Sequence, residues 1–123
     1  LVGSEMCIRD SLSPMKEKGI IPMQNLSGTG HIYHLYVIRV TEKSPIERDT
    51  LKEKLGVAGI SAGIHYPIPC HLQPAYQSLG YKQGDFPHSE TLARQILSLP
   101  MYPVISEEQI NRVVETIIQI VDN

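Results

Sequence analysis

No stretch of this sequence approaches the roughly 20 consecutive apolar residues that a membrane-spanning helix needs, although hydrophobic residues fill 41% of its 123 positions. The N-terminus shows no continuous apolar stretch behind a basic start, so no secretory signal is expected. Charge of one sign is scarce. Eleven basic and 13 acidic residues give a formal net charge of −2, too little for a general attraction to nucleic acid or anionic lipid. Cysteine is scarcer still, at two residues. Internal repeats, low-complexity tracts and a linker able to divide the chain are all missing. These absences leave one soluble domain with enough chain for a modest core, and a cytoplasmic location is expected.

The first residues have an unusual character. Leu1 to Asp10, LVGSEMCIRD, match the in-frame translation of a common transposon-based sequencing adapter. Residues 1–10 are therefore set apart from the fold as a non-native segment, and residues 11–123 are taken as the domain. Cys7 then drops out, leaving Cys70 as the native cysteine, so no internal disulfide is expected and a reducing compartment fits. Without Glu5, Arg9 and Asp10 the net charge becomes −1. The natural protein is expected to extend upstream of residue 11.

Residues 13–18 read as the tail of a helix stopped at Gly19, residues 20–24 as a short strand, and residues 25–30 as a loop rich in Ser, Gly and Thr. HIYHLYVIRV at 31–40 is the strongest strand signal, apolar on both alternating faces and so expected inside a sheet. Ser44-Pro45-Ile46-Glu47 has the chemistry of a capping box opening a helix that carries Ile46, Leu51 and Leu55 inward. A further strand is expected at 60–65, ended by Pro67 and Pro69. Short helices follow at 74–79 and 87–97. Ser106 to Gln109 forms a second capping box, and behind it Ile110, Val113, Val114, Ile117, Ile118 and Val121 make the stripe of an amphipathic helix. Two or three strands with about four helices predict an α+β domain with helices packed on a small sheet.

Five histidines raise the question of a metal. His31 and His34 sit on a strand, where residues three apart point to opposite faces. His65, Cys70 and His71 are separated by prolines and lack zinc spacing, so no metal site is expected. Cys70 has no evident base or pKa-lowering partner for nucleophilic work, and is expected to be a small semi-buried residue. Ser27-Gly28-Thr29-Gly30 lacks the spacing and the lysine of a phosphate loop. The segment GIHYPIPCHLQPAY at 63–76 stands out. It is either a rigid structural turn or a binding corner, since two imidazoles, a phenol and an amide project from a proline-stiffened loop. Such donors suit sugar hydroxyls and phosphate oxygens.

HIYHLYVIR, GIHYPIPCHLQPAY, GYKQGDFP at 80–87 and LSLPMYP at 97–103, in this order, resemble the C-terminal part of the DegT/DnrJ/StrS sugar aminotransferases. The resemblance covers roughly residues 12–122. It implies the small C-terminal domain of the aspartate-aminotransferase fold, taken from an enzyme that uses pyridoxal 5'-phosphate. Such enzymes move an amino group from L-glutamate to a keto sugar on a nucleoside diphosphate and act as homodimers. The catalytic lysine and most cofactor contacts would lie in a large domain upstream, so no catalytic residue is assigned and the fragment alone is expected to be inactive. The family's HYP segment maps to His65 and Tyr66 as substrate-binding residues. His71 and Gln73 match the HLQPAY pattern that follows, and His34 matches the histidine of the HLYVIR strand, as either a site residue or a hydrogen-bonded core residue. Cys70 stands where leucine is common. The alternatives are a pyridoxal-phosphate sugar dehydratase, a non-catalytic sugar-binding or regulatory paralogue, and an independent small domain.

Overall fold

The computed structural model describes residues 8–27 and 30–123. Residues 1–7 of the adapter-like segment, and positions 28 and 29 of the expected loop, lie outside that set. Residues 8–11 form a helical turn that leads into a 3-10 turn at Ser13–Lys16. Ile8 and Leu12, one turn apart, are 1% and 0% exposed and join the core. Setting residues 1–10 apart from the fold therefore needs correcting at Ile8. Its side chain packs with Leu12 whatever its genetic origin, because apolar surface is driven out of water regardless of history.

Gly19 ends this turn at φ +77°, where a Cβ would lie 2.5 Å from the backbone nitrogen of Ser44. Only glycine fits both the dihedral and the gap. The chain then enters strand β1 (Ile20–Pro22), followed by β2 (Tyr36–Val40) and β3 (Ile96–Leu99). The three make an antiparallel sheet in the order β1-β2-β3. Helices α1 (Arg48–Val57), α2 (Pro87–Gln95) and α3 (Glu107–Asp122) complete the domain.

The sheet's two faces have different fates. Tyr36, Ile38 and Val40 of β2 stand beside Leu99, Leu97 and Ile20 on one face, and all are buried. Leu51 and Leu55 of α1 and the α3 stripe from Ile110 to Val121 close over them in one continuous core. Each fully buried Leu or Ile contributes about 1.5–3 kcal/mol. α3 enters through the expected box: Ser106 Oγ accepts from Gln109 N at 3.2 Å, and Gln109 Oε1 accepts from Ser106 N at 2.9 Å. The other face carries Val37, Arg39, Ile96 and Ser98 and is the face on which the site is built. No helix among the described residues is long and apolar enough to cross a membrane.

Four sequence expectations change. The 31–40 strand is half as long, because Leu99 pairs with Tyr36 and Pro100 has no N–H with which to extend the ladder. The expected helix at 87–97 stops at Gln95, and Ile96 and Leu97 open β3 instead. The expected strand at 60–65 reduces to one bridge, Gly63 with Ser98. The Ser44 box does not form. Ser44 Oγ accepts from Ile46 N at 3.3 Å, which holds a turn, and α1 starts at Arg48 with no side-chain cap.

Candidate functional site

The segment 63–73 is fastened at its beginning to the open edge of β3. Gly63 N donates to Ser98 O at 2.9 Å, and Ser98 N donates to Gly63 O at 2.7 Å. Two residues on, His65 Nδ1 lies 3.0 Å from Ser98 Oγ. The His65–Tyr66 peptide bond is cis. The two rings meet edge to face, 5.7 Å between centroids. Tyr66 is 72% exposed, and the chain bends at Pro67 and Ile68 before Pro69 leads into a short 3-10 turn.

This corner divides two grooves that share Ile96. On the His65 side a groove of about 350 Å³ is lined by Asn25, His31, Tyr33, Tyr36 and Val37, among others. Asn25 Nδ2 donates to the Tyr33 hydroxyl at 2.7 Å, and His31 Nδ1 accepts from Tyr33 N at 2.9 Å. The His31 and Tyr33 rings lie 4.1 Å apart. On the Tyr66 side a more apolar groove of about 450 Å³ runs past Ile68, Cys70, Phe86 and Leu92 of α2. Between them the grooves present neutral donors and acceptors beside aromatic and aliphatic surface, the chemistry of a polyhydroxylated ligand carrying a ring.

Of the expected site residues, His65 lines the first groove, Tyr66 and His71 share the second, and Gln73 and His34 line neither. His65 and Tyr66 stand together at the corner. His71 turns inward. Its Nε2 lies 3.0 Å from Glu90 Oε1, with both side chains 8% exposed, and its ring packs on Phe86 at 4.8 Å. Glu90 Oε1 also accepts from Gly84 N at 2.8 Å. That backbone N–H is the main cause holding the Glu90 carboxyl below its ordinary value of 4.5; burial opposes it, and His71 and Phe86 reinforce it. Gln73 Nε2 donates to Ile68 O at 3.1 Å, bracing the proline loop from behind. His34 is exposed and lines neither groove, so it is not the core residue considered from the sequence. Cys70 is exposed rather than semi-buried.

Asn25, His31 and Tyr33 were not expected at the site. Their only sequence signal was polarity in a loop and at the head of a strand. It becomes legible once that strand is known to begin at Tyr36. Neither groove is lined by a lysine among the described residues, and no group of three or more His, Cys, Asp or Glu side chains is placed to hold a metal there.

Comparison with known proteins places this corner in a larger frame. A "Pleiotropic regulatory protein" of Geobacillus stearothermophilus is 42% identical over 98 residues, 80% of this chain and 25% of that protein. The dTDP-3-amino-3,6-dideoxy-alpha-D-galactopyranose transaminase of Aneurinibacillus thermoaerophilus is 41% identical over 87 residues, 71% of this chain and 22% of that protein. The crystal structure of NtdA from Bacillus subtilis with bound cofactor PMP superposes with a TM-score of 0.82 at 28% identity, covering 98% of this chain and 27% of that one. The chain thus spans about a quarter of the length of these relatives, and its fold is that of the small α+β domain in aminotransferases of this type. The profile of the DegT/DnrJ/EryC1/StrS aminotransferase family matches residues 5–118, and with the fold in agreement along nearly the whole chain, the protein belongs to that family.

Proposed function

We propose that this chain is the substrate-facing small domain of a sugar aminotransferase that uses pyridoxal 5'-phosphate and moves an amino group from L-glutamate to a nucleoside-diphosphate keto sugar. The observation that carries this reading is the His65–Tyr66 corner between two grooves, in a chain 41% identical to a dTDP-amino-sugar transaminase. His65 and Tyr66 bind and orient the sugar, with Asn25, His31 and Tyr33 on the facing wall. His71 and Gln73 support the corner from within. His34 has no place in this arrangement.

The cofactor, when bound, supplies the electron sink for amino transfer. The two grooves beside the corner do not fit its covalent anchoring, since no lysine among the described residues lines either of them. In this reading cofactor binding and catalysis are assigned to an upstream domain, and the isolated chain is expected to be inactive. We take residues 1–10 as translated adapter sequence, which sequencing the genomic DNA across residue 11 tests directly. Exposed Tyr66, Ile68, Tyr81, Phe86 and Tyr102 supply apolar surface for that domain and for a second subunit in a cytoplasmic homodimer. A regulatory paralogue without transaminase activity is the second reading, favoured by the name of the Geobacillus stearothermophilus relative. The residue at the upstream lysine position separates the two readings, and a histidine there would indicate dehydratase chemistry instead.

The test uses the protein extended to its natural start. Loss of one hydrogen bond to a charged group costs about 1.5–3 kcal/mol, roughly a ten- to 150-fold fall in kcat/KM. His65→Ala and Tyr66→Phe are expected to show that fall in the sugar half-reaction while leaving the glutamate half-reaction nearly unchanged, both followed by cofactor absorbance. Equal losses in both half-reactions would indicate a folding or cofactor defect. No loss in either would leave the corner a purely structural turn.

A further inference from the structure

Ser98 is the buried polar residue in the middle of β3, 5% exposed. Its backbone N–H and C=O are both committed to Gly63. Its hydroxyl has a single partner among the described residues, Nδ1 of His65 at 3.0 Å. We propose that Ser98 is a positioning residue that fixes His65 as the Nε2–H tautomer, so that the corner presents a hydrogen-bond donor to an acceptor oxygen of the substrate.

The direction of the Ser98–His65 bond follows from satisfying the hydroxyl. A serine hydroxyl has one proton to donate and two lone pairs to accept with. If His65 Nδ1 carried the proton and donated it, Ser98 Oγ would accept and its own O–H would be left buried with no acceptor. An unmade buried donor costs more than an unused lone pair. The hydroxyl therefore donates to Nδ1, and the single proton of the neutral imidazole resides on Nε2. Nε2 is the ring nitrogen with no partner among the described residues, and His65 lines the groove that also holds Asn25, His31 and Tyr33.

Gly63 completes the device. A Cβ at this position would stand 2.6 Å from His65 Cε1, so the ring can lie against β3 only because that atom is missing. The Gly63–Ser98 bridge holds the two backbones in register, the hydroxyl then sets the ring, and the glycine leaves room for it. The inference rests on reading His65 as a substrate-facing group, and the following test is independent of catalysis.

The ¹⁵N-labelled chain is examined by long-range ¹H–¹⁵N correlation well above the ordinary imidazole range, at about pH 8.5. Wild-type His65 is expected as the Nε2–H tautomer, with Nδ1 shifted as a hydrogen-bond acceptor. Ser98→Ala loses the acceptor shift and Ser98→Thr restores it. Gly63→Ala loses it with the hydroxyl still in place, because the added methyl displaces the ring. This last variant meets only a movable side chain, so it keeps the test decisive if Ser98→Ala folds poorly. A proton on Nδ1 in the wild type, or His65 nitrogens unchanged in both Ser98→Ala and Gly63→Ala, overturns the proposal. If the tautomer is fixed as stated but His65→Ala leaves the sugar half-reaction unaffected, the positioning role stands and the substrate role falls.

Discussion

Glu90 shows how a single side chain can hold a loop. Its carboxylate collects the Gly84 backbone N–H and the His71 imidazole on one oxygen, closing the 80–86 segment against the proline loop. Because the folded-state pKa lies below the ordinary 4.5, the stabilisation is fully present above that value. It is lost as pH falls through the lowered folded value. Glu90→Gln keeps an acceptor for Gly84 but has no charge to lose. The thermal midpoint of the wild type is therefore expected to fall more steeply below pH 4.5 than that of the variant, while the two curves run parallel at neutral pH. Superimposable acid limbs would show that the carboxylate contributes nothing through its charge. His71 could not have been assigned from sequence. HLQPAY names an imidazole but not the glutamate nineteen positions on that turns it inward.

At the scale of elements, the sequence was most legible where local chemistry and tertiary packing agree. The α3 stripe and its Ser106 box are read directly from spacing, and the structure reproduces both. Legibility failed where a partner decides. Residues 31–35 have β propensity, yet the ladder stops at Tyr36 because β3 ends before Pro100, and Tyr33 instead takes φ 48° with its N–H bound to His31. Ile96 and Leu97 suit the end of a helix as well as a strand, and pairing with β2 selects the strand. Ile8 escapes the sequence reading for another reason: resemblance to an adapter says nothing about whether an isoleucine packs. Ile8→Ala is expected to cost about 2–5 kcal/mol, lowering the thermal midpoint by roughly 4–8 °C per kcal/mol for a domain near this size. An unchanged midpoint in calorimetry would show that the turn at 8–11 does not contribute to the core in solution.

At the scale of the whole molecule, the proposed function assigns the cofactor chemistry to residues outside this domain. Its lysines at 16, 18, 43, 52, 54 and 82 stand apart from both grooves, so borohydride reduction with pyridoxal 5'-phosphate at low concentration is expected to leave the intact mass of the chain unchanged. A stoichiometric adduct at one lysine would place a cofactor anchor in this domain. The order of the sheet also bears on how the chain is made. β1 and β2 are neighbours in sequence and pair early, but residues 36–39 must wait for residues 96–99, and the α3 stripe that seals the core comes later still. Non-local pairing of this kind slows folding. A nascent chain therefore leaves the ribosome with the open edge of β2 and its apolar face unshielded, and that interval is when a holdase would find it and when self-association would compete with the native fold.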